Sequence, residues 1–289
     1  MMLNKKKVIP IIKQALSEDI KGGDVTTRLV VPSRARVKAE IIVKQKAVIC
    51  GMEVLKWVFA QADSSIRFKA LASDGARVKP NKKVALLEGP AKAILTAERT
   101  ALNFLGYLSG ISTLTSKFVE KAGPGKVKIV DTRKTLPGLR YLAKYAVRTG
   151  GGFNHRMGLY DQILLKDNHL KIAGLKLRIK GLIKKIKNEK PKNMKLEIEV
   201  KNLKEFREAL EAQPDIIMLD NMKLTDIRKM IKLGKRSKQR PLIEVSGNVS
   251  LKNVSQIAKV GPDIISIGSL THSVESIDVS LNISNSRLK

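Results

Sequence analysis

Cysteine is almost missing from this chain. Cys50 is the only one in 289 residues, which excludes an internal disulfide and makes a reducing compartment, the cytoplasm, the expected setting. Aromatic residues reach only 4%, and neither a zinc-finger spacing nor an RNA-binding signature is present. Long apolar runs are absent too, since none approaches the roughly 20 residues needed to span a bilayer, so no membrane partner is expected. The beginning, MMLNKKKVIPIIKQALSEDI, has a brief apolar patch soon broken by Lys13 and by Glu18-Asp19. It reads as an amphipathic first helix rather than a signal peptide. Acidic residues are the scarcer charge, 26 against 56 Lys and Arg, for a formal net charge of +30. Such a charge suggests nucleic acid. The cations are nevertheless spread along the chain and are mostly Lys, so a lysine-rich background is the better reading and no specific nucleic-acid partner is expected. A positive field would also draw in polyanionic substrates.

What is present is a globular composition, 43% hydrophobic, long enough for one large domain or two. After the first helix, Arg36 to Val43 alternates as a strand should, and Gly51 introduces an amphipathic helix, MEVLKWVFAQA. Ile66 to Leu71 and Val84 to Leu87 read as short strands around an Asp74-Gly75 turn. Leu95 to Ala122 is strongly helical, with Leu102, Leu105, Leu108, Ile111, Leu114 and Phe118 at threes and fours. From Lys126 onward strands alternate with helices: 128–131, 162–166, 195–200, 215–219, 241–245 and 263–267. Such repeats give a parallel sheet, open or closed, and six units are fewer than the eight of a full barrel. The tail from Ile277 to Ile283 alternates strictly, unlike the apolar strands before it, and is expected to return to the first domain.

The stretch from Asp131 to His169 is the part that the rest of the chain serves. An apolar run ends in Asp131-Thr132-Arg133-Lys134, and Pro137-Gly138 open a helical segment. Gly150, Gly151 and Gly152 follow, then His155-Arg156. A second apolar run leads into Lys166-Asp167-Asn168-His169. Two strands thus end in hydrogen-bond donors, where α/β folds place ligands. Four of the 16 arginines (Arg133, Arg140, Arg148, Arg156) lie here, and Arg suits two-pronged recognition of carboxylate or phosphate. Read alone, these are surface cations or ligand contacts in about equal measure, and Arg99, at the start of the long helix, is a solvated cation. Glu199 in LEIEV and Asp220 in IIMLDN end later strands; each is a helix cap or ion-pair partner as readily as a ligand, with Glu197 and Asp215 close by. Ser246-Gly247-Asn248 form a tight loop in which Ser250 can cap the following helix, and Gly268-Ser269 form a second such turn. Backbone N–H groups at such turns make anion sites.

Taken together, TRKT-x-PG-L-R, K-x-A-V-R-x-GGG-x-N-H-R-x-G-L and D-x-x-L-x-KDNH resemble the quinolinate phosphoribosyltransferase family. LSEDIKGGDVTT, AERTALNFLGYLSGISTLT, DIIMLDNM and EVSGNVSL…DIISIGSLTHS extend the resemblance over nearly the whole chain. The resemblance implies an α/β fold: an N-terminal α+β sandwich domain (1–110, joined by 272–289) and a shortened, incompletely closed α/β barrel (111–271). It implies transfer of phosphoribosyl from phosphoribosyl pyrophosphate (PRPP) to quinolinate with loss of pyrophosphate and carbon dioxide, a step of NAD biosynthesis. Thr132, Arg133, His155, Arg156 and Arg99 would hold the two carboxylates, with Arg99 reaching the site of a homodimer partner, possibly within a higher oligomer. Lys134 and Lys166 would lie near the reaction centre. Glu199 and Asp220 would contact the ribose hydroxyls and Mg2+, partly through substrate and water. Ser246, Gly247, Asn248, Gly268 and Ser269 would seat the 5′-phosphate, and His169 and His272 are read as supporting residues. A same-fold relative acting on another ring acid or base is the alternative, ahead of a basic nucleic-acid binder.

Overall fold

A computed structural model of the chain describes residues 3–174 and 179–284. Its first section comprises α1 (Lys5–Ile20), α2 (Val25–Val30), β1 (Arg36–Val43), β2 (Ala47–Val48), α3 (Met52–Ala62), β3 (Arg67–Ala70), β4 (Arg77–Val78), β5 (Lys82–Pro90) and the long α4 (Ala91–Ala122). Then follow β6 (Lys128–Val130), α5 (Arg140–Thr149), β7 (Ile163–Leu165), α6 (Asp167–Gly174), α7 (Ile179–Glu189), β8 (Leu196–Val200), α8 (Leu203–Ala212), β9 (Ile216–Asp220), α9 (Leu224–Lys235), β10 (Leu242–Ser246), α10 (Val254–Val260), β11 (Ile264–Ser266), α11 (Ser269–His272) and β12 (Val279–Ile283). The chain divides into two compact units: one holds the residues before 117, 135–151 and those from 270 onward, the other 117–134 and 152–269.

In the first unit a four-stranded antiparallel sheet has the order β12-β1-β5-β3. β1 buries Ala39, Ile41 and Val43, every second residue, which sets the face that meets the core. The alternating tail does return: β12 lies antiparallel to β1, with Leu281 opposite Ile41. α1 buries Val8, Ile12 and Leu16, one residue per turn of the same stripe. α4 begins at Ala91, directly after Pro90, one turn before the leucine periodicity that announces it; Ala91 and Ile94 belong to the same buried face. The two-residue strands β2 and β4, and the six-residue α2, had no periodic signal to read because each is too short to carry one.

The second unit contains six parallel strands in the order β6-β11-β10-β9-β8-β7. Strands β7 to β11 are neighbours in chain order, and the first strand, β6, lies beside the last. That is the order of a barrel, not of a doubly wound sheet, whose strand order reverses at a switch point. Among the described residues the β6–β7 seam has no ladder hydrogen bonds. On that edge Phe153 runs alongside β6, its N–H donating to Ile129 O (2.8 Å) and its carbonyl accepting from Asp131 N–H (3.2 Å). The barrel is therefore shortened and incompletely closed.

Two local expectations change. α5 starts at Arg140, not at Pro137, because Gly138 adopts φ +77° and the chain turns there before the helix can begin. Ser250 does not cap with its side chain; its carbonyl accepts from the N–H groups of Asn253 and Val254, and the helix begins later, at Val254. Among the described residues no helix is long and apolar enough to cross a membrane.

Candidate active site

Parallel strands put all their carboxyl ends on one rim, so residues far apart in sequence meet there. β6 runs into Asp131-Thr132-Arg133-Lys134 and β7 into Lys166. β8 carries Glu199, β9 ends at Asp220, β10 at Ser246, and β11 leads to Gly268-Ser269. All these residues belong to the second unit. Lys166 Nζ stands 3.1 Å from Glu199 Oε2, with Lys166 half exposed and Glu199 buried. Next to them Lys201 Nζ donates to Asp167 Oδ2 at 2.9 Å, and that bond holds the Asp167 carboxyl below its usual range.

On the β9–β10 side, Asn221 Nδ2 donates to Asp220 Oδ2 (2.8 Å), Asn248 Nδ2 to Asn221 Oδ1 (3.0 Å) and Asn253 Nδ2 to Asn248 O (2.9 Å). This asparagine relay holds the Ser246-Gly247-Asn248 loop open around a cavity of about 150 Å³ lined by Ser246, Gly247, Asn248 and Asn253. Gly247 sits at φ +87°, and a Cβ there would run into the Asn221 side chain and lie 2.9 Å from its backbone N. Only glycine fits there, and a glycine turn of this kind is a common setting for anion binding by backbone N–H groups.

The β6 side is cationic. Asp131 is fully buried; its carboxylate accepts from Asn154 Nδ2 (2.6 Å) and from His155 N–H (3.0 Å), fixing the loop that follows the glycines. Of those glycines, Gly151 has φ +88°, while Gly150 serves close packing: a Cβ there would run into the Ser112 carbonyl. The Thr132 Oγ1 accepts the Lys134 N–H (3.1 Å), turning the chain so that Lys134 is exposed. Arg156 is buried and donates through Nη1 to Gln162 O (2.9 Å). Desolvation first, and then the like charge of Arg133, lower its pKa. Two guanidinium groups that repel each other at one rim make a place for an anion.

His155 is partly buried, and both of its ring nitrogens meet protein groups. Its Nδ1 accepts the Arg156 N–H (2.8 Å), and its Nε2 faces Glu197 Oε2 (3.1 Å) and Glu244 Oε2 (3.6 Å). Burial works against a charged ring, while the two carboxylates work for it and push its pKa up to about 10. A doubly protonated ring conflicts with the Arg156 contact, because Nδ1 can accept an N–H only when it carries no proton. The 2.8 Å contact is the more direct constraint, so the ring holds one proton, on Nε2, between the acids. Burial, and then the Glu244 charge, push Glu197 up to about 7 against the pull of His155 and Arg156.

Glu197 and Glu244, both fully buried, were not among the expected site residues. The signal was available: LEIEV alternates, so Glu197 and Glu199 share one face of β8 while Leu196, Ile198 and Val200 share the other. The strand register then sets Glu199, Met218 and Glu244 in one row. Of the remaining expectations, His169 Nδ1 accepts the Lys166 N–H (2.9 Å), a supporting contact. His272 pairs with Ser273 Oγ (2.6 Å) and lies in the first unit. Arg99 also lies in the first unit, exposed on α4 at the wall of a cavity of about 740 Å³ shared with Glu18, Asp19 and Tyr107.

Comparison with known proteins agrees with this picture. Residues 24–109 match the family described as quinolinate phosphoribosyl transferase, N-terminal domain, and residues 111–282 match its C-terminal domain. A Methanocaldococcus jannaschii protein named probable nicotinate-nucleotide pyrophosphorylase (carboxylating) is 42% identical over 285 residues, covering 96% of this chain and 98% of its own. The Mycobacterium leprae nicotinate-nucleotide pyrophosphorylase (carboxylating) is 37% identical over 275 residues, covering 94% and 95%. Among solved structures, the Francisella tularensis nicotinate-nucleotide pyrophosphorylase superposes with TM-score 0.91 at 39% identity over 98% of both chains. NadC from Streptococcus pyogenes gives TM-score 0.91 at 37% identity over 99% of this chain and 100% of that one.

Proposed function

Since the chain belongs to the quinolinate phosphoribosyltransferase family, we propose that it transfers the phosphoribosyl group of PRPP to quinolinate, releasing pyrophosphate and carbon dioxide and leaving nicotinate mononucleotide. The observation that carries this reading is the buried Arg156 beside Arg133 on two loops of one rim, with Lys134, Lys166 and Glu199 at adjacent strand ends. The pyridine nitrogen attacks C1 of the ribose, and the C1–O bond to pyrophosphate breaks. Positive charge grows at C1 and negative charge on the leaving group, so the work is positioning and electrostatics rather than covalent catalysis. The carboxylate next to the quaternised nitrogen then leaves as carbon dioxide, its electron pair returning to the ring carbon, which takes a proton.

Arg133 and Arg156 hold the quinolinate carboxylates in this reading, with Thr132 and His155 shaping their loops. Lys134 and Lys166 meet the charge on the leaving pyrophosphate. The asparagine-braced loop at Gly247, with Gly268-Ser269, takes the 5′-phosphate. Glu199 and Asp220, hard oxygen donors on neighbouring strands, would hold Mg2+ jointly with substrate oxygens and water. That ion would neutralise the diphosphate. Arg99, outside the barrel unit, completes the carboxylate site of a partner subunit in a homodimer, and the protein works in the cytoplasm.

The test measures pyrophosphate and carbon dioxide release with quinolinate and with nicotinate. Nicotinate offers one carboxylate to two guanidiniums, and leaving a desolvated cation without its anion costs roughly 3–5 kcal/mol. Nicotinate should therefore be turned over more than about a hundredfold less efficiently. Phthalate, with both carboxylates and no ring nitrogen, should inhibit competitively against quinolinate. Comparable kcat/KM for the two acids would refute the dicarboxylate site.

A further inference from the structure

Glu244 is fully buried, and neither of its carboxylate oxygens has a hydrogen-bond partner among the described residues; His155 Nε2 lies 3.6 Å from its Oε2. Burying a carboxylate in that way is unfavourable, so a second fully buried acid beside Glu197 at the same imidazole calls for a reason. The contacts of Arg156 supply it. The Arg156 N–H donates to His155 Nδ1 (2.8 Å), and His155 Nε2 faces Glu197 Oε2 (3.1 Å). From the same arginine, Nη1 donates to Gln162 O (2.9 Å), while the Gln162 side chain donates through Nε2 to Glu197 Oε2 (2.6 Å). Backbone and guanidinium of Arg156 are thus tied, by two separate routes, to one buried carboxylate oxygen. The circuit runs through hydrogen bonds from Glu197 by Gln162 and Arg156 to His155, and a contact of 3.1 Å brings it back to Glu197. Glu244 faces the same ring nitrogen as Glu197, at 3.6 Å.

We propose that Glu197, with Glu244 behind it, is the positioning residue of the carboxylate site: through His155 and Gln162 it holds Arg156 at the angle that accepts the substrate's dicarboxylate. Neither acid touches substrate. The inference rests on the reading of Arg156 as a carboxylate ligand, and it adds that the selectivity of that ligand is set beneath it, in the barrel interior. His155 then acts through its ring nitrogens on the protein, not on the substrate.

The same three side chains could instead coordinate a divalent cation, since His155, Glu197 and Glu244 bring ligand atoms within 4.8 Å of one another. The Arg156 N–H opposes this. With Nδ1 accepting, the ring's one proton must sit on Nε2, where a metal would have to bind.

The experiment compares wild type with Glu197→Met, Glu197→Gln, Glu244→Met and Gln162→Met. It reads phthalate binding by calorimetry, KM for quinolinate and for PRPP separately, and the imidazole nitrogens by long-range 15N–1H correlation. With only three histidines in the chain, the His155 signals are assignable by a His155→Gln control. Glu197→Met should weaken phthalate and raise the quinolinate KM by about tenfold or more, the scale of losing hydrogen bonds to a charged group, while the PRPP KM stays within about twofold. Glu197→Gln should recover most of the loss, because an amide oxygen can still accept the Gln162 bond and face the His155 ring. Wild-type His155 should show a proton on Nε2 and none on Nδ1. Unchanged phthalate binding in Glu197→Met, or equal losses for both substrates, would overturn the proposal. So would a stoichiometric metal in wild type that is lost from Glu244→Met. If Glu197→Met does not fold, Gln162→Met decides, since it opens the circuit from the other side and should show the same selective loss. Wild type that releases no pyrophosphate from quinolinate would refute the assigned reaction instead, while the His155 tautomer and phthalate binding still judge the circuit.

Discussion

Lys134 follows Arg133 at the end of β6, exposed, on a turn held by the Thr132 hydroxyl. In the proposed role at the leaving pyrophosphate, this cation would act mainly on the charge that builds there as the C1–O bond breaks. Lys134→Ala should therefore lower kcat by about two to three orders of magnitude, with KM for either substrate little changed and the thermal midpoint intact. Steady-state kinetics beside a melting curve check this; a raised KM with normal kcat would mean that Lys134 only binds. At this scale the charged strand ends were legible in a linear chain, Arg133, Lys134, Lys166, Glu199 and Asp220 standing where apolar runs end, and Arg156 was legible after the glycine run. Glu197 and Glu244 were passed over. An acid inside an apolar run looks like a solitary cap or ion-pair partner until the strand register shows which face it shares.

Among the elements, α4 and the segment leading to β12 depend on each other. Gly106 and Gly110 sit in the middle of α4, where each costs about 1 kcal/mol relative to Ala. They are tolerated because the chain passes directly over them: Ile277 N–H donates to Gly106 O (3.1 Å), and Glu275 O lies where a Gly110 Cβ would be. Gly110→Ala should lower stability by about 1–3 kcal/mol despite its better helix propensity, since backbone must move. Gly106→Ala, whose Cβ would be 3.0 Å from Ile277 O, should cost less. Denaturant midpoints order the two, and the reverse order would exclude this packing. The helical period of α4 and the alternation of β12 were both readable; the crossing of the two was not, because a glycine in a helix signals close approach without saying what approaches.

For the whole molecule, the assembly prediction concerns Arg99, which stands exposed on α4 outside the barrel unit. If it serves a partner's site, mixing inactive Arg99→Ala subunits with inactive Lys134→Ala subunits should restore activity through hybrid dimers that contain one intact site. At full exchange about half the dimers in an equal mixture are hybrids, each with one working site of two, so recovery to about a quarter of wild type is expected. No recovery from well-exchanged mixtures would exclude a site shared between subunits.

The sequence by itself determined the longer elements and their order: a first section of strands and helices, six βα repeats, and an alternating tail. It also determined which strand ends carry charge, since both rest on local periodicity and on residues adjacent in the chain. Tertiary structure decided that the six strands lie in barrel order with one open seam, because strand count alone fits a barrel and an open sheet equally. It also decided that Arg156 is tied at both ends to Glu197. Those ties run between β8 and loops some 40 residues earlier, and only the packing of parallel strands brings them within hydrogen-bond reach.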